Sequence, residues 1–131
     1  MGHLRKWSRS TRGQALVEFA LILPLLILIL MGIIEFGRLW MTMITLSGAA
    51  REGAREAAVT APDHDAVETA ANNVLDAAGL GPGTITISGP DALSDVTVTV
   101  EITYTVITGS IIPGLGGSLQ LARSAVMRWE G

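Results

Sequence analysis

The chain has 131 residues, no cysteine, two histidines and a formal net charge of −3. Without cysteine it can form neither disulfides nor thiolate sites. The charge balance is uneven along the chain, with +4 on residues 1–13 and −7 on the remainder. An acidic main body disfavours nucleic-acid binding.

The first 34 residues combine a basic leader, residues 1–13, with an uncharged run, residues 19–34. Such a pair is typical of a signal peptide or a membrane anchor. The apolar run is not followed by the small-residue site that signal peptidase requires, so the sequence predicts an anchor. Including Glu18 and residues 15–17 gives the roughly 20 residues that a span needs. We therefore predict a transmembrane helix over residues 14–41.

Charge also predicts the orientation of this anchor. The leader cations are Arg5, Lys6, Arg9 and Arg12, whereas Arg38 on the far side is accompanied by Glu35. The positive-inside rule then places the N-terminus in the cytoplasm and residues 42–131 outside. The expected location is the cytoplasmic membrane, in contact with lipid, as a single-pass protein.

Glu18 is the most informative residue of the anchor. An ionised side chain in a membrane helix costs about 3 kcal/mol even on lenient insertion scales, so it is a functional hypothesis by default. It then needs a partner; alternatively, it lies at headgroup depth and faces water. Pro24 removes a helical hydrogen bond and predicts a kink or local loosening, which a membrane tolerates.

Helical periodicity continues over residues 42–59, where small apolar residues share one face and charged residues the other. The apolar face contains Met43, Leu46, Ala50, Gly53, Ala54 and Ala57. Pro62 ends this helix. A second amphipathic helix is expected over residues 64–78, capped by Asp63 or Asp65.

After residue 80 the apolar period changes to two, which predicts strands near residues 84–88, 95–107 and 118–129. Arg123 falls on the apolar phase of the last strand, which suggests an edge or a bulge. An antiparallel sheet of about three strands laid over the small-residue face would use every apolar face. The predicted fold class is α+β, with a long N-terminal transmembrane and amphipathic helix.

No catalytic constellation is evident in the sequence. The sequence Asp63-His64-Asp65 could suggest a cation site, but three consecutive side chains point in different directions and helix capping explains both aspartates. We therefore expect no enzyme activity, no metal site and no cofactor.

The segment GQALVEF, with Gly13 before a presumed scissile bond and Glu18 as the fifth residue after it, resembles the processing site of type IV-like prepilins. The longer stretch RGQALVEFALILPLLILILMGIIEFGRLW, followed by AAREGAREAA, resembles the TadE-like family of minor pilins or pseudopilins of the tight-adherence (Flp) pilus system. The resemblance is densest over residues 12–58 and returns weakly at SAVMRWE.

This resemblance implies a pilin-like fold and cleavage between Gly13 and Gln14 by a prepilin peptidase. The implied register and assembly residues are Glu18 and Phe19, and Glu35 and Arg38 are possible contacts at the helix exit. Implied partners are the peptidase, the major pilin, other minor pilins and an inner-membrane assembly platform. Whether such a subunit enters an extracellular pilus or stays in the membrane as a primer is left open.

A different class of function also fits the sequence. An uncleaved, signal-anchored envelope protein with an outer domain that binds a ligand or partner would show the same leader, anchor and α+β domain. N-terminal processing separates the two hypotheses.

Overall fold

The computed structural model describes residues 11–60, 63–90, 94–111, 114 and 116–129. It divides after Ile34 into two compact units. Helix α1, Thr11–Thr60, supplies the first unit and continues into the second, and it is helical through Pro24. It begins three residues before the predicted anchor, because nothing in the sequence of residues 11–13 stops a helix.

The N-terminal unit is apolar on all sides of its helix. Large apolar side chains between residues 16 and 30 are 38–74 % exposed. Mean hydropathy reaches 2.8 over 18 residues, and none of that window is buried. A helix that is apolar all round belongs in a core or a membrane. This part of the chain is therefore compatible with a membrane anchor.

The second unit is an α+β arrangement, which confirms the predicted fold class. Helix α2, His64–Ala77, is capped by Asp63, whose Oδ1 accepts hydrogen bonds from two backbone N–H groups at 3.1 and 3.4 Å. The strands are β1, Thr84–Ser88, β2, Asp95–Thr105, and β3, Ser118–Arg128. A short helix α3, Thr108–Ile111, was not predicted.

The three strands form one antiparallel sheet in the order β1-β2-β3. Strand β2 alternates as the sequence predicted: its valine face is buried and its threonine face is more exposed. The β2–β3 register is uninterrupted, with Val98 opposite Ala125 and Val100 opposite Arg123. Arg123 therefore marks an edge strand and not a bulge.

The core lies between the second half of α1, helix α2 and strand β2. The predicted small-residue face of α1 is buried, with Met43 at its margin and Ala49 as a member that the sequence pattern missed. Gly53 lies at the closest approach. A Cβ atom there would come within 3.1 Å of Val98 Cγ1 and 3.4 Å of Ala71 Cβ. The charged residues from 51 to 56 lie on the opposite, more exposed face.

Two glycines of α1 give opposite expectations for the same substitution. Alanine is favoured over glycine in a helix by about 1 kcal/mol. At Gly48 the new methyl would meet Val74 Cγ1 at an ordinary 3.8 Å, so Gly48→Ala should stabilise the protein. At Gly53 the methyl would press on Val98, which is fully buried, and overpacking of this kind costs about 1–3 kcal/mol. Thermal unfolding of both variants in detergent checks this, and a higher melting temperature for Gly53→Ala would show that the core has room.

Candidate functional site

The predicted processing site lies in the first turns of α1. Gly13 and Gln14 are both exposed, so a peptidase could reach them. Their backbone is helical, whereas a peptidase holds extended backbone at the bond that it cuts. Glycine has the least intrinsic preference for helix after proline. Local unwinding is therefore least costly beside Gly13.

Glu18 and Phe19 follow one turn later and are exposed as well. Residues four apart lie on the same face of a helix, with side chains tilted towards the N-terminus. The Glu18 carboxylate is thus directed along the face on which Gln14 lies. Within the part of the chain that the structure describes, no cation forms an ion pair with Glu18.

A second polar group lies directly after the uncharged run and is centred on Glu35. Its Oε1 accepts a hydrogen bond from the Tyr104 hydroxyl at 2.6 Å. Its Oε2 accepts from the backbone N–H of Ile107 at 3.2 Å, and from the N–H and hydroxyl of Thr108 at 3.4 and 3.3 Å. The carboxylate therefore joins α1 to the end of β2 and the start of α3. We call this group the helix-exit cluster.

Arg38 completes the helix-exit cluster. Its Nη1 lies 3.4 Å from Glu35 Oε1, and its guanidinium carbon is 5.5 Å from the centre of the Tyr104 ring. An arginine at this distance over an aromatic face is weakly attracted to it. Burial first, and then the hydrogen bond to Glu35, raise the pKa of Tyr104 above its ordinary value.

The cluster explains two differences between the predicted and observed elements. Strand β2 ends at Thr105 and not at residue 107, because the backbone N–H of Ile107 is donated to Glu35. The same carboxylate caps α3. Glu35 and Arg38 were predicted from the sequence as contacts at the helix exit, whereas Tyr104 and Thr108 were missed. One signal was available: Tyr104 is on the buried face of β2, and a buried tyrosine hydroxyl needs a partner.

The six predicted site residues thus fall into two groups. Gly13, Gln14, Glu18 and Phe19 are exposed in the first unit, and Glu35 and Arg38 are paired in the second. The described residues contain no group of three or more metal-binding side chains.

Comparison with protein families gives a match to the TadE-like protein family over residues 13–55. That segment is TadE-like. The predicted resemblance is confirmed over this range, about a third of the chain, and the range contains all six predicted site residues. No curated protein and no solved structure matches the chain.

The matched segment begins at Gly13, includes the exposed apolar helix and the helix-exit pair, and ends within the part of α1 that carries the small-residue face. The α2 helix and the sheet lie outside the matched range.

The helix-exit cluster can be tested through Tyr104, which is the only tyrosine of the chain. Glu35→Gln removes the negative charge and the carboxylate acceptor that favour the neutral phenol. The Tyr104 pKa, read from tyrosinate absorbance, should fall towards its ordinary value of about 10. The pKa of Tyr104 is higher in the folded protein than in the unfolded chain. The free energy that its protonated hydroxyl contributes to folding is therefore fully present below the ordinary tyrosine pKa, and it is lost as the pH rises through the pKa of the folded protein. Glu52→Gln, on the same helix, is the control and should leave the titration unchanged.

Proposed function

We propose that the chain is a pilin-like structural subunit, a minor pilin or pseudopilin, of a tight-adherence type IV-like pilus or secretion assembly. The observation that carries this proposal is the coincidence of three features in one segment. The TadE-like match starts at Gly13, Glu18 lies near the start of a long helix, and the 18-residue apolar window of that helix is not buried within the chain.

In this proposal a prepilin peptidase cuts after Gly13 on the cytoplasmic face of the inner membrane. The leader helps to orient the chain and is then removed with its +4 charge, leaving a mature chain of 118 residues, 14–131, with a charge of −7. Cleavage creates an α-amino group on Gln14, whose ordinary pKa of about 8 makes it mostly cationic at neutral pH.

The new amine gives Glu18 the partner that it lacks in the described chain. The amine of Gln14 is one helical turn from Glu18, so a pair within one chain is sterically reasonable, and a neighbouring helix could supply it equally well. Breaking a buried ion pair costs about 3–5 kcal/mol. Helices that associate with the wrong axial register would leave Glu18 unpaired in an apolar bundle. Glu18 would thus select one register during assembly.

The remaining parts have matching roles. Of the predicted transmembrane helix, 14–41, the residues in the first unit, 14–34, hold the subunit in the membrane until assembly, with the α+β unit outside. Major pilin, other minor pilins and the inner-membrane platform are the proposed partners of the helix. The processed subunit is then available for an extracellular pilus.

Processing after Gly13 is tested by substituting the residue before the cut. Gly13→Leu adds a side chain where the peptidase must approach the backbone closely. We expect full-length protein to remain in the membrane, as judged by N-terminal sequencing. Gly32→Leu places the same side chain later in α1, where an added Cβ would meet no other part of the chain within 4 Å beyond its own helical turn, and should be processed normally. A chain that begins at Gln14 in the Gly13→Leu variant would contradict the requirement for glycine before the cut, whereas full-length protein without any substitution would favour the uncleaved envelope protein.

The register role of Glu18 makes a separate prediction. Glu18→Ala removes the charge without adding bulk, so the variant should be inserted and cleaved but should no longer join the pilus components. Co-purification with those components from membranes measures this. Glu56→Ala, an acid in the second unit, is the control. Normal co-purification of the Glu18→Ala variant would contradict the register role.

A further inference from the structure

The two edges of the sheet differ in length and cover. Strand β1 has 5 residues and contacts helix α2, whereas β3 has 11 residues. The outer edge of β3 pairs with no strand among the described residues. A long unpaired edge presents a row of backbone N–H and C=O groups that can accept another strand.

The side of β3 that faces the core is incompletely covered. On the same face of the neighbouring strand β2, Val98 and Val100 are fully buried, whereas Leu119 of β3 is 47 % exposed. Helix α1 also leaves apolar side chains uncovered here, since Trp40 and Ile44 are 62 % and 60 % exposed. Between α1 and β3 lies a groove of about 260 Å³, lined by Trp40, Met43, Ile44, Ser47, Arg51 and Arg123.

The groove carries two positive charges in an otherwise acidic unit. Neither Arg51 nor Arg123 forms an ion pair with any residue that the structure describes. Arg123 is opposite Val100 on the core-facing side of β3. An inward-pointing charge on an edge strand discourages pairing with an ordinary apolar strand. It does not exclude a strand that brings an opposite charge to the same place.

We propose that the free edge of β3 and this groove form a docking site for an extended segment of a partner protein. That segment would add to the sheet as a fourth strand, about 4.8 Å from β3. Every second side chain of that segment would face the groove. Most of these would be apolar and pack on Trp40 and Ile44, and one would be a carboxylate that contacts Arg123 and Arg51. Backbone hydrogen bonds supply affinity in this mode of binding, and the side-chain pattern supplies specificity.

The occupant is a different protein and not a second copy of this chain pairing edge to edge. The two sheet edges of a second copy are its β1 and β3, and neither strand contains an acidic residue. Symmetric pairing of two β3 strands about Arg123 would place like charges opposite each other, which is destabilising. Only the source of the partner strand depends on the proposed role of the chain as an assembly subunit.

The experiment uses the complete chain in detergent and two synthetic peptides of eleven residues. In both peptides threonine alternates with valine, and the central valine is replaced by glutamate in one and by lysine in the other. Hydrogen exchange over residues 118–128 reports pairing at β3, and exchange over residues 95–105 is the internal reference. The glutamate peptide should slow exchange in β3 by about tenfold or more, and the lysine peptide should not.

Charge reversal on β3 supplies the matched variants. In the Arg123→Glu variant, the lysine peptide should slow hydrogen exchange in β3 and the glutamate peptide should not. Arg128→Glu makes the same change on the same strand, but residue 128 is on the alternate face, so the preference for the glutamate peptide should persist. Equal protection by both peptides, no protection by either, or the same loss in both variants would overturn the proposal. Protection that grows with protein concentration and without peptide would assign the edge to a second copy.

These measurements require neither processing nor a filament. Failure of peptide binding would therefore leave the proposed subunit role intact, and failure of cleavage after Gly13 would leave the docking site intact.

Discussion

Small side chains on α1 let α2 and β2 approach this helix closely, and the packing of the second unit depends on that close approach. Four alanines and Gly53 form the face against which α2 and β2 pack, and a methyl group at Gly53 would lie only 3.1 Å from Val98 Cγ1. The core is consequently thin, and Leu46 and Leu75 are its largest fully buried side chains. A thin core leaves little apolar area to stabilise the unit. The close packing of α2 and β2 along α1 therefore does much to fix the structure of this unit.

Much of this architecture could be read from local sequence. The change of apolar period after residue 80 predicted the strands, Pro62 and Asp63 predicted the break before α2, and Gly79, whose φ of 71° suits glycine, predicted its end. Helix α3 could not be predicted, because four residues have no period and its cap comes from Glu35. The partners of Glu35 follow Glu35 by 69–73 residues, and no local pattern records such a distance.

The two groups of site residues differ in where their chemistry is completed. Glu35 is satisfied within its own chain by five donors on four residues, so its role is structural. Glu18 has no ion pair among the described residues, and its exposed apolar surroundings make that isolation costly in a membrane. The sequence could identify Glu18 because an acid in an apolar run is conspicuous by itself. It could not separate the roles of Glu18 and Glu35, since that distinction depends on tertiary contacts.

The long sequence separation at Glu35 also determines the order in which the molecule can be completed. A chain emerges N-terminus first, and closure of a contact across about 70 residues has to await the distant segment. The Glu35 carboxylate is made early, immediately after the apolar run, yet Tyr104 and Thr108 arrive only when most of the chain has followed. Until then the acid must remain hydrated. In the proposed membrane-anchored subunit, the α+β unit would close on α1 only after Glu35 had reached water on the side of the membrane that holds the sheet, which would couple vectorial export to folding.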